Sequence, residues 1–263
     1  MKIALIQLTS SASYLTNLQR VSVMIENAMI NSPSVVILPE YFIQLSNAED
    51  RFDIAQAAIC LAIQSRLSEL ALQYRVYIVA GTIPIASATS GRYFNATLVF
   101  GPDGRLIKRY DKIHLFRLHQ VDESYNETLH FDRGSQVCTF VVGEYKFGLA
   151  TCYDLRFPEL FREMGELDAI ILPAAFTETT GKAHWEILCR ARAIENQCYF
   201  LAVNQGGWHE SGHKTFGHTM AIDPWGSISD SCTIGEDIVY VEIDKNLINR
   251  VRSKLPALNH RVL

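Results

Sequence analysis

The sequence predicts an α/β fold in which helices cover mixed β-sheets. Three observations carry this. Strand-like apolar runs alternate with helical spacing along the whole chain, a Gly-Pro-Asp-Gly turn at 101–104 adds an antiparallel hairpin, and 48% of the 263 residues are hydrophobic. A chain of this size can bury its core in one unit, and no Pro/Gly/Ser-rich linker divides it. One domain over 1–263 is therefore expected.

The apolar run 3–8 reads as the first strand. Leu18, Val21, Ile25, Ala28 and Met29 follow at helical spacing, and Val35–Ile37 is a β-branched run, making a strand–helix–strand unit. A second helix is expected over 54–72 and a strand over 76–80, with Gly81 and Pro84 marking its end. Strands at 95–100 and 106–110 flank the 101–104 turn as a hairpin. The second half repeats the alternation: strand 146–151, helix from Pro158, strand 169–172, helix 184–195 and strand 199–203. Further strands are expected at 219–222 and 239–243, and a last helix at 245–254. The segment VVILPE at 35–40 is echoed by AIILPAAF at 169–176, which hints at two related halves but is too short to count as a repeat.

Composition excludes several classes of function. The formal net charge is −4 and the 24 Lys and Arg residues are dispersed, so no nucleic-acid partner is expected. No apolar run approaches the roughly 20 residues that span a bilayer, and the opening MKIALIQLTS reads as a strand in place of a signal peptide. A cytoplasmic protein without a membrane partner is the expectation. Cys60, Cys138, Cys152, Cys189, Cys198 and Cys232 form no C-x-x-C pair and have no interleaved His ligands. That pattern predicts neither disulfide staples nor a metal site, and nothing calls for a cofactor. Each cysteine reads by default as a small buried apolar residue, and only Cys152 has a context that overturns this.

Reactive residues in open α/β sheets lie just beyond the C-terminal ends of strands. Glu40 follows 35–38 and Pro39, beside apolar Tyr41 and Phe42. It reads either as a solvated loop carboxylate or as a general base whose pKa is raised by an apolar pocket. Cys152 lies between a strand end and the helix that Pro158 opens. This position favours thiolate and lets the peptide N–H of Tyr153 bind an oxyanion; a structural cysteine is the alternative. Lys112, between Asp111 and Ile113, is either a snorkelling surface residue or an inward charge that holds carboxylates and stabilises an oxyanion. A Ser-His-Asp arrangement has no support, because no G-x-S-x-G motif occurs.

Three segments, LPE at 38–40, YDKIHLF at 110–116 and CYDLRFPEL at 152–160, resemble the signatures of the nitrilase, or carbon–nitrogen hydrolase, superfamily in order and separation. The likeness runs from IALIQLT at 3–9 to LPALNHR at 255–261. It implies a four-layer α-β-β-α sandwich with Glu40 as general base and acid, Lys112 as stabiliser of the intermediate, and Cys152 as the nucleophile that becomes a thioester. A second glutamate of the family falls best on Glu123 in VDES, where the Glu-Ser pair decides; Glu127 is the competing assignment.

GKAHWEILCRARAIENQCYF at 181–200 and GHTMAIDPWG at 217–226 are most similar to the branch of deaminated glutathione amidases and ω-amidases. The resemblance thus implies an amidase for a small carboxylate-bearing ω-amide, deaminated glutathione first and α-ketoglutaramate second. A nitrilase and a catalytically silent scaffold are the further alternatives. Tyr153 and Arg156 are the candidate substrate-binding residues, Arg156 through its bidentate fork or else in an ion pair with Glu159 or Asp154. Tyr41, and Arg117 after HLF, depart from the common pattern and bear on the substrate. The helix at 184–195 and the chain ends resemble family pairing surfaces, so a homodimer or higher homo-oligomer is expected.

Overall fold

The computed structural model describes residues 1–46, 50–119 and 124–262. In chain order, β1 (Lys2–Gln7), helix α1 (Tyr14–Met29), β2 (Val35–Ile37), α2 (Ala57–Tyr74), β3 (Tyr77–Ala86), β4 (Tyr93–Phe100) and β5 (Leu106–Asp111) make the first half. A short pair, β6 (Arg117–His119) and β7 (Ser124–Asn126), leads to β8 (Cys138–Val142), β9 (Tyr145–Leu149), α3 (Pro158–Glu163), β10 (Ala169–Ala174), α4 (Glu178–Asn196) and β11 (Tyr199–Asn204). Another short pair, β12 (Gly206–Trp208) and β13 (Lys214–Phe216), precedes β14 (Met220–Ile222), β15 (Ile228–Ser231), β16 (Asp237–Glu242) and α5 (Lys245–Lys254).

These strands assemble two six-stranded sheets, ordered β16-β1-β2-β3-β4-β5 and β15-β14-β11-β10-β9-β8. Each has the same plan. Three parallel strands, β1-β2-β3 in one and β9-β10-β11 in the other, are extended by antiparallel strands on both sides. The echoed segments noted in the sequence are the middle parallel strands, β2 and β10, of the two sheets.

Side chains alternate along these strands with period two, and both faces are apolar because both are covered. Ile3, Leu5, Val35, Ile37 and Val79 meet Phe147, Leu149, Ile171, Leu201 and Val203 between the sheets. The outer face of the first sheet, with Ala4, Ile6, Val36 and Ile78, packs on Val21 and Ile25 of α1 and Ile63 and Leu67 of α2. That of the second, with Ile170, Leu172 and Phe200, packs on Phe161 of α3 and Trp185 and Cys189 of α4. The layers are therefore helix, sheet, sheet, helix, the sandwich that the resemblance implied.

The extents of β3 and α4 differ from expectation, and several short strands were not expected. β3 does not stop at Gly81; the register against β4 shifts between Ala80 and Ile83, so a bulge absorbs Gly81, and the strand then continues past Pro84, which pairs with Asn95. α4 begins at Glu178, before 184, because Thr177 caps it by accepting from the Thr180 N–H. The short pairs β6–β7 and β12–β13, and strands β8 and β15, had no counterpart among the expected elements. Among the described residues no helix is long and apolar enough to cross a membrane.

Candidate active site

The four layers bring the ends of β2, β5 and β9 together at one end of the sandwich. Beyond β2, Leu38 still donates its N–H to the Val79 carbonyl before Pro39 turns the chain out of the sheet. Gly81 of β3 makes room for this turn: a Cβ there would lie 1.7 Å from the Pro39 carbonyl oxygen. Glu40 is thereby placed fully inside. Its Oε1 accepts from Asn95 Nδ2 and from Lys112 Nζ, both at 2.9 Å, and its Oε2 accepts from the Ala175 N–H at 3.0 Å. Gln205, just past β11, holds the Glu40 carbonyl at 3.0 Å.

Lys112 follows the last residue of β5 and is completely buried, so the snorkelling alternative is excluded. Its Nζ lies between two carboxylates, 2.9 Å from Glu40 Oε1 and 2.9 Å from Glu127 Oε2. Glu127 opens the short 3-10 turn Glu127–Leu129 and also accepts from the Phe116 N–H at 2.7 Å and the Tyr41 hydroxyl at 2.6 Å. The second carboxylate on Lys112 is thus Glu127, the competing assignment of the sequence reading. Glu123 lies outside the described residues. Asn126 caps the turn that Glu127 opens, accepting from the Thr128 N–H.

Cys152 lies three residues past the end of β9, directly after the capping residue Thr151, and begins the 3-10 turn Cys152–Arg156 with φ of 48°, a left-handed conformation uncommon for a side chain that is not glycine. The turn is held by Asp154, a residue the sequence reading did not single out for a role of its own. Its Oδ2 accepts from the Thr151 N–H at 2.8 Å and from Tyr110 Oη at 2.7 Å, and its Oδ1 accepts from the His114 N–H at 3.0 Å. Asn95 was missed as well. A buried polar residue in the middle of an apolar strand, Tyr93–Phe100, was the available signal.

Burial dominates the electrostatics. It raises Glu40 above the ordinary carboxylate range, with the charge of Glu127 adding to it and Lys112 only partly offsetting it. Burial alone would depress Lys112, yet Glu127 and Glu40 hold it well above the usual lysine value. Glu127 goes the other way: burial opposes its charge, but Lys112 and the Tyr41 hydroxyl keep it below the usual range. For Cys152, burial and then Glu40 push the thiol well above its normal value. The strand-to-helix position therefore does not make a resting thiolate, contrary to the sequence expectation, since a second negative charge beside Glu40 in a buried site is too costly. The thiol instead stays neutral on the same cleft as the Glu40 carboxylate, the base that can take its proton.

A cleft of about 370 Å³ opens onto these groups, with Tyr41, Phe116, Tyr125, Phe131, His213 and Lys214 among its walls. Beside it a smaller recess is lined by Cys152, Tyr153, Arg156, Phe176 and Thr180. The Tyr153 ring packs edge-on against Phe116 and Phe157. Arg156 Nη1 and Nη2 lie 3.3 Å from His184 Nδ1, and its guanidinium sits over the Tyr153 and Phe176 rings. Among the described residues it forms no ion pair with Glu159 or Asp154. The other five cysteines are buried and free; burial pushes Cys198 up to about 12 and Cys232 to about 11. Among the described residues no group of His, Cys, Asp and Glu side chains is arranged to hold a metal ion.

Known proteins resemble this chain over nearly its whole length. A deaminated glutathione amidase from Synechocystis is 36% identical over 98% of this chain and 97% of its own length. An omega-amidase from Saccharomyces cerevisiae is 34% identical over 99% of this chain and 92% of its own. Among solved structures, the Caenorhabditis elegans NitFhit protein superposes with a TM-score of 0.89 at 33% identity, covering 99% of this chain and 64% of that one. A yeast member of branch 10 of the nitrilase superfamily gives 0.84 at 32% identity, over 97% and 94% of the two chains. The sequence model of the carbon-nitrogen hydrolases matches residues 2–253, and with an acid, a lysine and a thiol meeting at the ends of β2, β5 and β9, the chain belongs to that family.

Proposed function

We propose that the protein is an amidase that cuts the C–N bond of a small carboxylate-bearing ω-amide through a thioester on Cys152. The observation that carries this reading is the buried carboxylate of Glu40, bonded to Lys112 at 2.9 Å and lining one cleft with the Cys152 thiol. As the sulfur attacks the amide carbonyl, Glu40 takes the thiol proton, so no free thiolate is needed. The tetrahedral oxyanion is stabilised by Lys112 and by the peptide N–H of Tyr153. Glu40 returns the proton to the departing nitrogen and the C–N bond breaks, leaving the acyl thioester. Water, deprotonated by Glu40, then attacks the thioester; the acid product leaves and the thiol regains its proton.

Deaminated glutathione is the first candidate substrate, supported by the names of several relatives, and α-ketoglutaramate the second, supported by the omega-amidase relatives. Arg156, held between two rings beside Cys152, supports a carboxylate on the acyl part of either. A nitrile substrate has no such support, and a silent scaffold would not require Glu40, Lys112 and Cys152 in contact. A second copy of the chain as partner and a cytoplasmic setting are part of the same reading. The groove along α4 between His184, Ile187, Arg190 and Ile194 supports the former.

The test is product release across ω-amides, short peptides and nitriles. The acid-bearing ω-amides should be turned over, their methyl esters roughly a hundredfold less well, and Arg156→Lys should lose much of that preference. Cys152→Ala should abolish turnover with an unchanged circular dichroism spectrum. Turnover retained by that variant removes the thioester reading; equal rates on acid and ester remove the role of Arg156.

A further inference from the structure

Glu127 has to keep its distance from Lys112 although it sits on a turn and not in a sheet. Its backbone is tied to the first sheet by β4. The Tyr93 N–H donates to the His130 carbonyl at 3.1 Å, and the Asp132 N–H donates to the Tyr93 carbonyl at 2.7 Å. The denser tie is the side chain before them. Arg92 donates to three carbonyls in and just after the turn, Thr128 and Leu129 at 3.2 Å each and Phe131, and its Nε donates to the Asp132 carboxylate. Asp132 is steadied in turn by Ser87 Oγ at 2.6 Å. One guanidinium therefore binds the Thr128, Leu129 and Phe131 carbonyls of the segment that begins with Glu127.

The placement beside β4 gives this tie a chemical meaning. Arg92 immediately precedes β4, and three residues further on, within that strand, Asn95 donates to Glu40 Oε1, while the Asn95 carbonyl accepts from the Lys112 N–H at 3.0 Å. β4 thus fixes Glu40 and Lys112 through Asn95 and Glu127 through Arg92. We infer that Arg92 is a positioning residue for the proposed amide hydrolysis, setting the Glu127–Lys112 contact and the adjoining cleft wall of Leu129, His130 and Phe131 from a place outside the cleft. An arginine is required because five donors in a planar fork reach several carbonyls at once, which a lysine point charge does not. The inference rests on the amidase reading for its consequence in turnover, but its geometric content does not.

Glu40 is faced by Lys112, Glu127, the Cys152 thiol and Asn95. If the turn relaxes, the Glu127 carboxylate withdraws while the others stay. Glu40 then loses a repulsive neighbour and gives up its proton at lower pH. The experiment compares wild type, Arg92→Lys and Arg92→Ala by three readouts: kcat and KM on an acid-bearing ω-amide, thermal midpoint, and the rate of Cys152 alkylation by iodoacetamide between pH 4 and 9. Arg92→Ala should lower kcat roughly ten- to a hundredfold and move the acid limb of the alkylation profile to lower pH. Arg92→Lys should fall between the two proteins in both. A lowered midpoint with a wild-type alkylation profile and unchanged kcat in either folded variant overturns the inference. If wild type turns over no amide but the alkylation limb still shifts, the amidase reading fails and the positioning role stands.

Discussion

At Glu127 the charge count of the site can be changed by one atom. Glu127→Gln leaves Lys112 with one carboxylate and removes a charge that raises Glu40. With burial holding Glu40 high, the wild-type rate should fall as pH drops through a value above 4.5, the ordinary figure for a glutamate. The sign follows directly: protonated Glu40 cannot take the thiol proton, so activity is present above that pKa and lost below it. In Glu127→Gln the acid limb should shift downward, and kcat should fall roughly a hundredfold as Lys112 loses its second anchor. Glu123→Gln should leave both unchanged. A pH–rate profile of the two variants settles which glutamate serves the site, and an effect confined to Glu123→Gln would reverse the assignment made from the contacts. Glu40, Lys112 and Cys152 were legible because each follows a strand end in a distinctive segment. Glu127 was not, since sequence spacing says little about which way a short turn aims its side chain, and Asp154 and Asn95 act through hydrogen bonds that only the folded chain displays.

Strand β3 shows how an element can be read correctly in kind and wrongly in extent. Gly81 and Pro84 interrupt its apolar run, and both are ordinary strand-ending signals. Here a bulge absorbs Gly81 and the ladder resumes before Pro84, which pairs with Asn95; Gly81 is needed in the strand because the Pro39 carbonyl passes 1.7 Å from where a Cβ would stand. Gly81→Ala should therefore cost at least about 2 kcal/mol, since the obstacle is backbone and cannot rotate away. The same displacement moves Glu40, one residue beyond Pro39, so kcat should drop more than the fraction folded accounts for. Chemical denaturation alongside kcat checks this; a stable, fully active variant would show that the Pro39 turn yields freely. The pairs β6–β7 and β12–β13 went unread for a different reason. They are three residues long, partly exposed and held by the neighbouring site, so neither periodicity nor turn chemistry marks them.

For the molecule as a whole, the alternation of strands and helices was enough to place the layers, because central parallel strands buried on both faces leave continuous apolar runs in the sequence. The matching plan of the two sheets was visible only as the short LP echo, for strand order and direction are not written in any local pattern. The α4 groove and the exposed Ile187 and Ile194 near it belong to this scale too. If a second copy covers that face, sedimentation at micromolar concentration should give a mass near twice 29.7 kDa, with about 800 Å² buried per partner as the usual minimum. A single species at the monomer mass would remove the pairing. The division of the site between the sheets has one more consequence. Glu40 and Lys112 come from the first sheet and Cys152 from the second, and the neutral thiol reacts only where Glu40 is at hand to take its proton. A chain caught half-made on the ribosome, or half-opened by stress, holds an ordinary cysteine and an idle carboxylate on separate pieces. It has no hydrolytic power to turn on the amide-rich contents of the cell until the two sheets have closed.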